Sequence, residues 1–397
     1  MLFGDGAINT DIFSATLQQP AQLESLSSTA LTRGIDLFMR KDFKGAVKEF
    51  QRAIGLAPQS AYSIDAAHYM ADAYLALDDT GNAIKAYQRA QRLDPTRDDT
   101  HLKLGNLFFS EARFAEAAAE YEKAVSLWPS TENTFALGQA YMNMGRHAEA
   151  ENQFAKVLRM APREPDGHYG LGLTASRQGR FEEAIGHFES AIRRDKNFHA
   201  AYAEMGYAQA DLGQIDAAMD IVDDLKKKSP DLADTLSNYI YAVDPPKILF
   251  QYTTASSFKY YLPAKTPVSS LDAYLQTASA SKTFTMKFQF DKEMERSEVE
   301  NVTNWRIGRS SGYGPGQAYN FGLPVPETEI QLPPIPVAVS YDTKAMAATV
   351  YFKVRQNAGA DGTIDPSHIE FRFNGKDIFG LKMNPDFDQF TGFSKVY

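Results

Sequence analysis

Residues 98–131 read DDTHLKLGNLFFSEARFAEAAAEYEKAVSLWPST. Six residues mark this stretch: Gly105, Phe108, Ala117, Tyr121, Ala124 and Pro129. The same pattern returns on both sides of it. Upstream it appears as Gly34, Leu37, Ala46, Phe50, Ala53 and Pro58, then as Ala71, Tyr74, Ala83, Tyr87, Ala90 and Pro95. Downstream it appears as Gly138, Tyr141, Ala150, Phe154, Val157 and Pro162, then as Gly172, Ala184, Phe188 and Ala191. A sixth copy keeps Gly206, Ala218 and Pro230, with Val222 and Leu225 in place of the aromatic and the alanine. The closing anchors Pro58, Pro95, Pro129, Pro162, Lys196 and Pro230 are 37, 34, 33, 34 and 34 residues apart. A fixed period of this length marks a repeat architecture, in which each unit buries its apolar face only by stacking on its neighbours.

On these residues the chain resembles the tetratricopeptide repeat family over residues 27–232. The resemblance implies two helices per unit, A and B, stacked into a superhelix. Position 8 of each unit lies where A meets B, so it must be small. Positions 20 and 27 face neighbouring helices, positions 11 and 24 fill the remaining space, and proline stops helix B because it cannot continue the hydrogen-bond ladder. Residues 231–243 (DLADTLSNYIYAV) are expected to add a capping helix, giving a helical domain over 27–243 behind an N-terminal arm over 1–26.

The resemblance also implies a concave groove lined by positions 2, 5, 9, 12 and 13 of the A helices. The groove residues read from it are His68, Asp72, Leu102, Asn106, Phe109, Phe135, Gln139, Met142, Tyr169, Leu173, Arg177 and Tyr207. Amide side chains there suit a ligand backbone, and the aromatics suit its side chains. Members of the family that hold chaperone C-termini use lysine and arginine at positions 5 and 9. Position 5 here reads Leu31, His68, Leu102, Phe135, Tyr169 and Ala203, which excludes that mode. The expected ligand is an apolar peptide or helix, or the N-terminal arm folding back in cis.

Composition changes at Asp244-Pro245-Pro246. Beyond it, short runs rich in aromatic and β-branched residues predict seven strands: 247–252, 282–290, 304–308, 337–341, 348–354, 368–373 and 390–397. That number of short strands predicts a β-sandwich over 247–397. Phe290, Lys292, Met294, Asn304, Trp305 and Ile307 resemble the surface-layer type of bacterial Ig-like domain, which implies a non-catalytic spacer or interaction module. The predicted fold class is therefore multidomain, an all-α repeat superhelix followed by an Ig-like sandwich.

The carboxylates between Asp291 and Glu300 alternate with Lys292 and Arg296 and are read as a solvated connection. NAGADGTID (357–365) partly matches a calcium loop through Asn357, Asp361 and Asp365. Gly359 and His368 stand where further oxygen ligands belong, so a strand-joining turn is the preferred reading. The long stretch 309–336 offers Tyr313, Tyr319 and Phe321 to a partner, a glycan or the protein itself.

No nucleophile, paired-histidine or phosphate-loop motif emerges, so neither an enzyme nor a cofactor is expected. A net charge of −9 gives no basic field for nucleic acid. The absence of cysteine excludes disulfides and favours a secreted or surface-exposed bacterial protein. There is no positively charged leader before Arg33 and no run approaching the ~18 apolar residues of a membrane span, so a soluble chain is expected. Three functions fit: a non-enzymatic adaptor that binds a protein segment in the groove, a self-assembling component of a bacterial surface or filament, or, more remotely, a glycan-binding accessory.

Overall fold

A computed structural model describes residues 10–312 and 317–392, with side chains from residue 20 onward. Tyr313 lies outside the described residues. The chain divides into two compact units, Met1–Leu212 with Asp223–Leu232, and Gly213–Val222 with Ala233–Tyr397.

The helices follow the repeat as A/B pairs: α1 (Thr10–Met39) with α2 (Phe43–Leu56), α3 (Ala61–Leu75) with α4 (Thr80–Leu93), α5 (Asp98–Ser110) with α6 (Phe114–Leu127), α7 (Thr131–Asn143) with α8 (His147–Met160), and α9 (Asp166–Arg177) with α10 (Phe181–Arg194); α11 (His199–Asp211) and α12 (Ile215–Lys226) come next in the chain. A further helix, α13 (Pro230–Val243), follows. Among the described residues α1 runs without a break from Thr10 to Met39, across the boundary expected at residue 27.

The repeat residues do what their types require. A Cβ on Gly34, Gly105, Gly138 or Gly172 would come within 2.4, 2.5, 2.7 or 2.6 Å of the ring at position 24 of its own unit, which is Phe50, Tyr121, Phe154 or Phe188. The small residue therefore seats the large one. Position 15, in the turn between A and B, has positive φ in all six units: Lys41, Asp78, Ala112, Gly145, Gly179 and Gly213. Three units use glycine there, as a left-handed turn favours. In three units an arginine stands before helix B and pairs with a glutamate three residues on: Arg113 with Glu116, Arg146 with Glu149 and Arg180 with Glu183. These pairs are exposed and contribute little to stability. Successive A helices approach one another directly (α1 and α3, α5 and α7, α7 and α9, α9 and α11), whereas the B helices of α2 to α10 stand farther apart. The A helices thus line the tighter, concave side.

The second unit carries β1 (Ile248–Gln251), β2 (Thr266–Pro267), β3 (Ser281–Phe290), a short helix α14 (Arg296–Glu300), β4 (Trp305–Arg309), β5 (Ala338–Asp342), β6 (Ala347–Arg355), β7 (Thr363–Ile364), β8 (Ile369–Phe373) and β9 (Gln389–Phe390). All named pairings are antiparallel. The strands form a four-stranded sheet ordered β1-β3-β6-β5, a three-stranded sheet ordered β4-β8-β9 and a two-stranded β2-β7 pair. The two larger sheets share one aromatic core. Phe288 of β3 stacks on Trp305 of β4 with ring centres 5.7 Å apart, and Phe290 meets Phe373 at 5.5 Å. The β2-β7 pair was not foreseen; its two-residue strands are too short to show alternation. Of the last expected strand, the described residues show Gln389–Phe390 as strand, and residues 393–397 lie outside the described residues.

The acidic run is not simply a solvated connection. Lys292 is 2% exposed and Asp377 is fully buried; Nζ donates to Asp377 Oδ2 at 3.0 Å and to the Asp244 carbonyl at 2.5 Å. The rings of Tyr241 and Phe379 flank the ammonium at 5.0 and 5.4 Å. The carboxylates have structural partners too. Asp291 accepts from the Lys247 amide, Glu295 caps α14, Glu298 accepts from Asn304, and Glu300 accepts from the Tyr341 amide. The lysine that sequence reading took for a surface charge therefore ties the end of α13 to the β-rich fold within this unit.

Candidate functional site

The concave face is built from the A helices, and four of the predicted groove residues meet in one hollow there. Leu102 and Asn106 of α5 and Phe135 and Gln139 of α7 line a space of about 360 Å³, together with Thr131, Glu132, Ala136 and Asp166. Leu102, Phe135 and Ala136 provide its apolar surface; the amides and carboxylates surround them. Phe135 is half-buried, held with its ring 5.2 Å from that of Phe154. An adjoining hollow of about 310 Å³ shares Asn106 and adds Asp72, Lys103 and Ser110.

Asp72 and Asn106 have an internal role as well. The buried Tyr87 hydroxyl donates to Asp72 Oδ1 at 2.8 Å, and the Tyr121 hydroxyl donates to Asn106 Oδ1 at 2.8 Å. Burial, and for Tyr87 also the Asp72 charge, pushes both phenols well above their ordinary range. The Asn106 amide nitrogen remains for the hollow.

Two predicted groove residues are elsewhere. His68 is buried, its Nε2 2.8 Å from Thr100 Oγ1, and burial holds its imidazole below the ordinary histidine range. Met142 is buried in the repeat core. Both belong to packing between helices, because their units place positions 5 and 12 against the neighbouring helix. Phe109 is half-buried and edge-on to Phe114 at 5.2 Å.

Toward the other end of the unit, Tyr169 packs on Phe198 at 4.7 Å, and burial lifts its phenol to about 12. Leu173 is half-buried beside it, Arg177 is exposed, and Tyr207 is half-buried. Sequence reading missed Glu204, whose charge is felt by both Tyr169 and Tyr207. Burial raises its carboxyl above the ordinary range, and Arg177 opposes the shift. It also missed Glu132 and Asp166, although both stand at position 2, one of the positions that the resemblance assigns to the groove.

The loop candidates separate. Tyr319 is buried; its hydroxyl bonds Glu329 and accepts from the Asp365 amide at 3.1 Å, so it serves the fold and not a partner. Phe321 is 54% exposed, with its ring edge-on to His368 at 4.9 Å. The calcium candidates do not converge. Asn357 and Asp361 bond each other as a turn, while Asp365 accepts from His368, Ser367 and the Asn320 amide. Among the described residues no group of three or more histidine, aspartate or glutamate side chains is arranged to hold a metal. A polar hollow of about 590 Å³ in the β-rich unit is lined in part by Ser310, Gln317, Glu370 and Arg372, none of them singled out by the sequence.

Comparison with known proteins agrees with the helical repeat. Family profiles described as tetratricopeptide repeats match residues 71–111, 98–131, 135–197 and 175–237, so this part of the chain carries tetratricopeptide repeats. A tetratricopeptide repeat protein from Parabacteroides merdae has the same helical fold, with a TM-score of 0.50 at 15% identity over 54% of this chain and 86% of that one. Among curated proteins, tetratricopeptide repeat protein 13 of Homo sapiens is 28% identical over 37% of this chain and 16% of its own length. Hsp70-Hsp90 organizing protein 3 of Arabidopsis thaliana is 22% identical over 39% of this chain and 26% of its own length. The matched stretches thus span about a quarter or less of those relatives. No helix among the described residues is long and apolar enough to cross a membrane.

Proposed function

We propose that the chain is a non-enzymatic adaptor that holds a peptide or protein segment in the groove of its A helices. The observation that carries this reading is the hollow formed by Leu102, Asn106, Phe135 and Gln139. It joins an apolar surface to amide groups able to bond a peptide backbone, which is how extended ligands are recognised. Tetratricopeptide repeat proteins are generally protein-interaction scaffolds. One relative is named for organising Hsp70 and Hsp90, but position 5 here lacks the lysine and arginine of the chaperone-tail mode, so a different ligand is expected. We read the β-rich unit as an Ig-like module that positions the adaptor or adds a second contact. Its support is the aromatic core shared by the two larger sheets, with Trp305 at its centre.

A second reading, a self-assembling component of a bacterial cell surface, draws on the apolar side chains exposed along one stretch of that unit: Phe321, Leu323, Val325, Ile335 and Val337. Photo-crosslinking separates the two. A crosslinking residue at Gln139 should capture partner, and Phe135→Ala should suppress the capture. Capture from Leu323 alone, with the product a dimer of this chain, would favour assembly and refute the groove.

A further inference from the structure

Position 2 of the A helices carries a carboxylate in four successive units: Asp65, Asp99, Glu132 and Asp166. The first two are balanced. Arg97 grips Asp99 through two bonds, Nε to Oδ1 at 2.9 Å and Nη2 to Oδ2 at 2.5 Å, and its charge also interacts with Asp65. The residues in register with Arg97 in the next two units are Ser130 and Glu164. Neither is a cation, and one adds negative charge.

Glu132 and Asp166 accordingly have no ion pair among the described residues, yet both line the hollow that holds Leu102 and Phe135. Asp166 is exposed, and partial desolvation, with Glu164 adding to it, raises its carboxyl above its ordinary range. Of the nearby cations, Lys103 lines the adjoining hollow beside Asp72, and Arg177 acts on Glu204. Both side chains are exposed at the rim of the hollow, in the first turns of α7 and α9, where the helix N-terminus favours their charge but no side-chain cation neutralises it, so a cation brought to them is attracted.

We propose that the groove's occupant is a positively charged peptide segment. Its lysine or arginine head sits between Glu132 and Asp166, and a neighbouring apolar side chain lies on Phe135 and Leu102. The inference rests on the groove reading above and specifies its ligand. The same carboxylates repel acidic segments, so they select as well as attract. The arrangement is the charge-reverse of a groove built for a C-terminal carboxylate.

The test uses the full chain and two fluorescein-labelled dodecapeptides with identical leucine and phenylalanine positions, one with lysine and one with glutamate at the rest. Fluorescence polarisation should show the lysine peptide binding at least about tenfold more tightly, with an affinity that falls as salt rises. Glu132→Gln combined with Asp166→Asn should weaken it by about five- to tenfold, with the helical circular dichroism unchanged. Glutamate binding as tight as lysine, a double variant that binds lysine undiminished, or no lysine binding up to millimolar peptide would each overturn the inference. Phe135→Ala separates its failure from that of the groove. If the variant loses whichever peptide binds, the groove stands whatever its charge preference. If the lysine peptide binds it unchanged, the site is not the groove.

Discussion

Replacing Lys292 by methionine removes an ammonium whose charge is matched inside the β-rich unit and keeps a side chain of similar length. The Asp377 carboxylate stays behind, fully buried. Its Oδ1 still accepts from the Phe379 and Leu381 amides, but Oδ2 loses its cation and the Asp244 carbonyl loses its donor. Breaking a buried pair from one side costs about 3–5 kcal/mol. For a unit of this size that lowers the melting temperature by roughly 6–20 °C, at about 2–4 °C per kcal/mol. The two tryptophans make the measurement selective: Trp128 is 65% exposed in the repeats, while Trp305 is buried in the β-rich unit. In a Trp128→Phe background, Trp305 fluorescence reports that unit alone. Adding Asp377→Asn to Lys292→Met removes the orphaned charge and keeps the oxygen that the two amides need, so it should restore more than half of the loss. A loss below about 1 kcal/mol for Lys292→Met would show that water reaches the carboxylate and would refute the account of a sealed pair.

Ala112→Gly should stabilise the repeats by about 1 kcal/mol, read by thermal circular dichroism, because Ala112 holds the left-handed turn that Gly145 and Gly179 occupy freely. Gly138→Val should destabilise them by about 1–3 kcal/mol or more, since its Cβ alone would approach Phe154 to 2.7 Å; an unchanged melting temperature would mean that the ring can move aside. Tyr121→Phe should cost about 0.5–1.5 kcal/mol, the value of one hydrogen bond to Asn106. His168 lies 3.3 Å from His187 across α9 and α10, and burial, with Arg194 and then His187 adding to it, lowers its imidazole to about 4. The unfolded chain then binds a proton that the folded one refuses between about pH 6.5 and pH 4, so this contribution to stability is lost as pH falls through that window. Melting temperatures measured across the window should fall less steeply for His168→Gln.

The repeat was legible because its packing constraints are local and recur. The near contact of Gly105 with Tyr121 returns as Gly138 with Phe154 and Gly172 with Phe188, so period and residue type reinforce each other. The strands were legible where alternation ran long, as in Ser281–Phe290, and not where Thr266–Pro267 pairs over two residues. Lys292 was misread because its partner is distant in sequence: nothing near Asp377 announces that it faces a lysine eighty-five residues earlier. The groove was half legible. Register placed Leu102, Phe135 and Gln139, but whether a given A-helix position faces the hollow or the next helix depends on packing, which sent His68 and Met142 inward.

The tyrosine bonds to Asp72 and Asn106 bear on how such an array can change over generations. Where position 24 is tyrosine, position 9 of the same unit is a short acceptor; where it is phenylalanine, as in Phe50, Phe154 and Phe188, position 9 is Ile35, Gln139 or Leu173. A recombination that moves a whole repeat carries hydroxyl and acceptor together. One that breaks between the two helices can strand a buried hydroxyl against an apolar residue such as Ile35 or Leu173, at the cost of an unmade bond. The heritable unit is therefore the helix pair, and the groove's polar groups at these two positions are inherited from the core rather than chosen by the ligand.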